Sequence, residues 1–264
     1  MARSEFRLLS LTTSGGDDIP LLAGSLVLLV GPNNSGKSAA LREIADWFAP
    51  DQEQPKRLVL KSVQFTDMQT SQLLDEMGDV YPIIPLPNGN VLIRFDGRNT
   101  HQMSRGGPLS HMYQIFRRAL IQRLDTETRL TYANPAPRLD LFGDDAPSAG
   151  IHWLQKNEVI YQKVSGIVRA AFGSDLIINW GGGSTIGFHV GDAPAFNKEN
   201  QDRVSADYLK SLNELPRLEQ MGDGIRSFVA TVVAAHVGRQ PVLLIDEPDA
   251  FLHPPQAARI GVVL

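Results

Sequence analysis

Between Val30 and Ala39 the chain reads Gly-Pro-Asn-Asn-Ser-Gly-Lys-Ser, and this octapeptide limits the possible folds more than any other stretch. The apolar run Ser25–Val30 before it has the texture of a buried strand. After it, Leu41, Ile44, Ala45 and Phe48 recur at helical spacing over 37–48, and Pro50 and Pro55 end the pattern. Glycine and proline therefore stop a strand, and a lysine opens a helix. Gly31, Gly36, Lys37 and Ser38 match the pattern G-x-x-x-x-G-K-S/T in full. Glycine lets the backbone close round an anion with successive N–H groups pointing inward, and the helix start adds unpaired N–H groups and a partial positive charge. The expectation is a phosphate cradle made of Gly31, Pro32, Asn33, Asn34, Ser35, Gly36, Lys37 and Ser38 that takes a nucleoside triphosphate, ATP. Lys37 is to reach the β- and γ-phosphates and Ser38 to ligate Mg²⁺.

A second segment fits the same chemistry. Pro-Val-Leu-Leu-Ile-Asp-Glu-Pro, residues 241–248, reads as a fully buried strand with two carboxylates at its tip, where desolvation disfavours charge. A cation and a polarised water give such acids a purpose. Asp246 is expected to hold Mg²⁺. Side chains alternate along a strand, so Glu247 points elsewhere and is expected to orient or deprotonate the attacking water. Lys37 and Glu247 are thus the candidate catalytic pair.

Met-Gly-Asp-Gly-Ile-Arg-Ser, residues 221–227, precedes the helix that leads into this acidic strand. Two glycines at a helix start make another anion-binding end, with Gly222 and Gly224 as candidate contacts to a γ-phosphate held by a second copy. Together, the phosphate loop, Met-Gly-Asp-Gly-Ile-Arg-Ser-Phe and Leu-Leu-Ile-Asp-Glu-Pro-Asp-Ala-Phe-Leu-His-Pro resemble the non-transporter ABC-type ATPases. These include the overcoming-lysogenization-defect nucleases, RecF-type and chromosome-maintenance ATPases of bacterial DNA repair and phage defence. The resemblance covers residues 1–48 and 215–258. It implies an α/β fold, a P-loop NTPase of ABC-ATPase type with a mixed β-sheet core and an α+β insertion. It also implies ATP hydrolysis, a homodimer closed over two ATP molecules, and a DNA-acting effector such as a nuclease. It makes Gln64 the candidate glutamine that couples nucleotide to the fold, with Gln69 behind it. A further strand after the last helix is implied too, and His253 lies before that strand, outside the γ-phosphate-sensing role. The chain departs from the transporter signature L-S-G-G-Q: Gly222 replaces serine and Asp223 the first glycine. Asp223 is either a helix cap or a contact residue, and Arg226 either a phosphate contact or a surface salt link.

The ATPase core is expected to be discontinuous, over 1–65 and 206–264, with 66–205 as the insertion. Within the insertion, "NVLIRF" reads as a strand, 109–124 and 151–171 as helices, 134–150 as a Pro- and Asp-rich loop, and "LIINW" and "TIGFHV" as a hairpin round Gly181–Ser184. Six arginines between 101 and 138 face only Asp125 and Glu127, which fits either a DNA-tracking surface or a solvated helix face. The 264 residues, with 42% hydrophobic and 20% charged, permit a packed core, and the net charge of −4 names no partner. There are no cysteines, which excludes disulfides and thiolate metal sites. No leader or membrane-spanning run is visible, so a cytoplasmic protein without a membrane partner is expected. Two other functions share the motifs: an ABC-transporter ATPase subunit, and an ATP-binding scaffold that does not hydrolyse.

Overall fold

The computed structural model describes residues 5–50, 56–95, 100–140, 146–195, 202–238 and 240–264. Pro55 and residues 141–145 of the Pro- and Asp-rich loop lie outside them. The chain is a mixed α/β protein with small sheets, in two compact units that exchange the chain several times.

The first unit carries β1 (Leu8–Thr13), β2 (Asp18–Pro20), α1 (Lys37–Ala45), β3 (Leu60–Phe65), α2 (Thr70–Gly78), β4 (Ile83–Pro85), β5 (Asn90–Arg94), β6 (Thr100–Ser104), α3 (Leu109–Leu120) and β7 (Ile121–Leu124). The second carries α4 (Thr126–Tyr132), β8 (Ala136–Pro137), α5 (Gly150–Lys156), α6 (Glu158–Phe172), β9 (Asp175–Ile178), β10 (Thr185–Ile186), β11 (Phe188–Gly191), α7 (Ala206–Asn213) and α8 (Asp223–Val237). The chain then returns to the first unit for β12 (Val242–Ile245) and to the second for α9 (Pro254–Val263). Residues 66–205, expected as one insertion, contribute to both units.

In the first unit two antiparallel sheets run in the orders β2-β1-β3 and β4-β5-β6, and β12 pairs in parallel with β7 from Val242↔Ile121 to Ile245↔Leu124. The core gathers Ile44 of α1, Leu73 of α2, Ile93 of β5 and Met112 and Phe116 of α3. Phe6, Phe48, Phe65 and Tyr113 add a group of stacked and tilted rings, so the Phe48 expected on the helical stripe does reach the core. In the second unit α8 is buried almost all round and packs with α4, α5, α6 and α9. That follows from its composition: Ile225, Phe228, Val229, Val232 and Val233 leave no polar face. Gly222 opens this helix, and Gly238, at φ 57°, closes it in the left-handed conformation that glycine adopts without strain.

Several local expectations are corrected. Residues 25–30 form no strand. They are exposed, with Val30 at 90% exposure, and no strand pairs with them among the described residues. An apolar run becomes a strand only when a neighbour satisfies its backbone, and β12 pairs with β7 instead. The helix expected over 109–124 stops at Leu120, because 121–124 is drawn into the ladder with β12 and tertiary pairing overrides helix periodicity. The helix expected over 151–171 is two helices. Asn157, at φ −139° and ψ 92°, breaks it, and its side chain caps α6 by accepting from the Ile160 N–H at 3.0 Å. β12 alternates buried Val242 and Leu244 with half-buried Leu243 and Ile245, so it is not buried on both faces. The hairpin around the triple glycine forms as β9 with β11, while β10 pairs with β8.

Two stability outcomes are expected. Phe228 is fully buried and meets Phe172 edge-on at 5.2 Å and 84°. Phe228→Ala should lower unfolding free energy by about 3–5 kcal/mol, read from the urea midpoint. Arg169 donates to both oxygens of Asp175 at 2.6 and 2.7 Å, tying α6 to β9. That guanidinium holds the Asp175 carboxyl below its ordinary range despite partial burial. A lowered folded pKa gives stability that is present at neutral pH and lost as pH falls through the folded value. Asp175→Asn should therefore destabilise at pH 7, and its difference from the wild type should shrink in acid.

Candidate functional site

The loop from Gly31 to Ser38 is a compact turn that ends as the cap of α1. Ser35 donates its N–H to the Pro32 carbonyl at 3.2 Å, and Asn34 sits at φ 66°. Gly36 is the N-cap at φ 89° and ψ 6°, and its carbonyl accepts from the Ala40 N–H at 2.9 Å. Two glycines of the loop stand in close quarters. A Cβ on Gly31 would lie 2.8 Å from Ser35 Oγ, and one on Gly36 would lie 3.0 Å from Val59 Cγ2 in a backbone region that L side chains avoid. The Lys37 ammonium curls back over the loop and donates to the carbonyls of Gly31 and Pro32 at 2.7 and 2.8 Å. One cation, a helix N-terminus and a tight glycine turn thus converge on a few ångströms of backbone.

Asp246 meets this loop. It follows β12, and its N–H donates to the Leu124 carbonyl at 2.8 Å, which continues the parallel pairing with β7 by one residue. Its Oδ1 accepts from Ser38 Oγ at 3.0 Å. A hydroxyl and a carboxylate in direct contact at a helix start are hard oxygen donors. They fit Mg²⁺, which takes one or two protein oxygens and fills its other positions with water and phosphate. Among the described residues there is no cluster of three or more His, Asp or Glu that would form a closed protein cage for a metal.

The other expected residues fall elsewhere. Glu247 opens the next part of the second unit at φ 49°, and its carbonyl accepts from the Ala250 N–H in a turn. Gly222 is the N-cap of α8, with open space where a side chain would stand. Gly224 cannot carry a side chain, since a Cβ would lie 2.9 Å from the Phe251 carbonyl. Asp223 does not cap α8. It lies in the first turn and accepts from Arg226 Nη1 at 3.3 Å, while Arg226 Nη2 donates to the Leu130 carbonyl. Arg226 is therefore engaged within its own unit. Gln64 lies on β3 opposite Ser10 of β1 and accepts from Ser10 Oγ at 3.0 Å, and Gln69 is the N-cap residue of α2, its N–H donating to Gln72 Oε1 at 2.6 Å. Both glutamines thus have structural partners. His253 is the N-cap residue of α9.

The arginine-rich stretch is not one surface. Arg129 is fully buried in α4, whereas Arg118 is exposed near the end of α3. In the second unit a separate pocket of about 70 Å³ is lined in part by Asn179, His189, Arg217 and Glu219. There His189 Nδ1 donates to the Leu215 carbonyl at 3.0 Å, which leaves Nε2 to accept from the Asn179 amide at 3.3 Å. None of the expected site residues lines it.

Sequence reading passes over Glu43. It is 3% exposed, and its carboxylate accepts the backbone N–H groups of Leu58, Val59 and Leu60. A signal was present: Glu43 shares the helical stripe of Ala40, Ile44 and Trp47, where a charge is tolerated only with partners. Compared with known proteins, the chain matches no family model, and no curated protein is significantly similar to it.

Proposed function

We propose that this chain binds ATP with Mg²⁺ on the loop Gly31–Ser38 and hydrolyses it. The observation that carries the reading is the 3.0 Å contact between Ser38 and Asp246, two residues from separate motifs that the same chemistry requires together. A glycine turn alone occurs in many proteins. A complete G-x-x-x-x-G-K-S loop whose serine meets an acidic strand end is far more restrictive.

The residues divide the work as follows. Backbone N–H groups of the loop and the first turn of α1 bind the phosphate oxygens. Lys37 releases its carbonyl partners and donates to the β- and γ-phosphates. Ser38 and Asp246 would hold Mg²⁺ through their oxygens. When bound, that ion neutralises charge on the phosphates and orients them for in-line attack. Glu247 takes a proton at its carboxylate from the attacking water. The new O–P bond forms at the γ-phosphorus as the bond to the bridging β–γ oxygen breaks, giving ADP and inorganic phosphate. Gly222 and Gly224 at the start of α8 serve the γ-phosphate of a second copy, so that ATP closes a homodimer. The motif resemblance supports an output on DNA, through repair or phage defence and a nuclease-type effector. Among the described residues no helix is long and apolar enough to cross a membrane.

Three variants test this reading. Lys37→Ala removes the only ammonium of the loop and should weaken ATP binding at least tenfold by calorimetry; wild-type affinity in that variant would remove the assignment. Asp246→Asn should abolish the Mg²⁺-dependent part of the affinity and spare binding in chelator. Glu247→Gln should cut turnover about 10²–10⁴-fold with nucleotide still bound, and should enrich an ATP-dependent dimer in size-exclusion chromatography. Unchanged turnover would exclude Glu247 as the base, and no turnover in any form, wild type included, would favour an ATP-binding scaffold.

A further inference from the structure

We infer that Glu43 is a positioning residue of the phosphate loop: it holds residues 57–60 as a strap along α1, and the strap fixes Gly36 through Val59. The inference rests on the ATP-binding reading for its functional consequence, but its mechanical part stands on this geometry alone.

The strap is fastened at three points: beyond the C-terminus of α1, within the helix, and at its N-cap. At the far end the Arg57 guanidinium lies 3.9 Å above the Trp47 ring, just beyond the C-terminus of α1. In the middle, Glu43 Oε1 accepts from the N–H groups of Leu58 at 2.7 Å and Val59 at 3.1 Å. Its Oε2 accepts from Val59 at 3.3 Å and Leu60 at 2.8 Å. At the near end Val59 Cγ2 stands 3.0 Å from the position that a Cβ on Gly36 would take. Val59 is held from its other side as well, since its carbonyl accepts from the Ser14 N–H at 2.8 Å.

Three consecutive amides converging on one buried carboxylate form an anion nest filled by the protein's own side chain. The donors need it. Leu58 and Val59 precede β3, where the ladder with β1 slips between Thr12 and Thr13, so the regular cross-strand acceptors are displaced there. An ionised carboxylate satisfies all of them at once, which a carboxamide cannot, because its NH₂ group would face N–H donors. A simple cap for the strap would end there. This one also carries a wall: the Val59 side chain lines the side-chain face of the last glycine of the loop, whose φ of 89° sets the direction of the N–H groups at the start of α1. Glycine has the widest conformational freedom of any residue, and a rigid side chain beside it removes much of that freedom before the ligand arrives. The β-branched valine is suited to this, having one dominant rotamer.

The test uses the whole chain and five proteins: wild type, Glu43→Gln, Val59→Ala, the double variant that carries both changes, and Lys37→Ala. Two measurements are made. Hydrogen exchange without nucleotide follows the amides of Ser35 and Ala40, which bond to Pro32 and to Gly36 on either side of the hinge. Calorimetry gives Kd for ATP with Mg²⁺. Glu43→Gln and Val59→Ala should both speed exchange at Ser35 and Ala40 relative to Ile44 and Ala45, and both should raise Kd about five- to tenfold. The double variant should bind no worse than Glu43→Gln alone, since both act through one contact. Val59→Ala leaves the carboxylate cap intact, so it decides the matter if Glu43→Gln folds poorly. Unchanged exchange and unchanged Kd in Val59→Ala would overturn the inference, whatever the stability of Glu43→Gln. If wild type and Lys37→Ala both fail to bind ATP, the ATP reading falls. Faster exchange at Ser35 and Ala40 would then still show the strap setting the loop, and unchanged exchange would refute that too.

Discussion

The hydrogen bond from Ser38 to Asp246 spans 208 residues of chain, and the rest of the site is arranged around it. It requires that the start of α1 and the end of β12 reach the same point. Each is placed by backbone pairing and not by side-chain preference. Gly36 caps α1 and presents Ser38 in its first turn. β12 lies in parallel register with β7, and the Leu124 carbonyl takes the N–H of Asp246. Parallel pairing needs a long connection between its strands, and here residues 125–241 join β7 to β12. Loss of the β7–β12 pair would leave Asp246 without a defined position, even with every motif residue in place.

The backbone near the motifs is unusual in a consistent way. Asn34, Glu247 and Phe251 hold positive φ without being glycine, at 66°, 49° and 70°. Such conformations cost about 1–3 kcal/mol each and persist where the surroundings over-determine them. Asn34 lies in the loop, and Glu247 and Phe251 lie in the turn after β12. Phe251 also sets a neighbour: its carbonyl occupies the space a side chain on Gly224 would need. Glycine at 224 is therefore explained by packing inside the second unit, independently of any ligand. Asp223 and Arg226 likewise have partners inside that unit, namely each other and the Leu130 carbonyl.

The chemistry-bearing motifs were legible because each is a short run whose spacing states its own geometry. The turn Gly31–Ser38, the helix after it, the acidic strand end and the glycine-opened helix α8 all appear where their residues point. Expectations that needed a distant partner were less secure. Residues 25–30 have the composition of a strand, but hydrophobicity does not supply a ladder neighbour. Residues 121–124 continue a helical stripe, but pairing with β12 outweighs it. Gln64 was picked by resemblance, and the fold gives its amide to Ser10. Glu43 went unnoticed because a carboxylate on a helix is ordinarily solvated, and only the returning segment 58–60 turns it into a buried acceptor.

By itself, then, the sequence determined the local devices: a tight glycine turn, a lysine and a serine at a helix start, and two acids at a strand tip. Steric limits on glycine and the fixed periods of helix and strand suffice for that, since they act over a few residues. The tertiary structure alone decided which strand neighbours which, where α3 yields to β7, that Asp246 meets Ser38, and that Glu43 takes the amides of 58–60. Those outcomes depend on backbone donors and acceptors far apart in the chain, whose satisfaction is settled only when the whole fold closes round them.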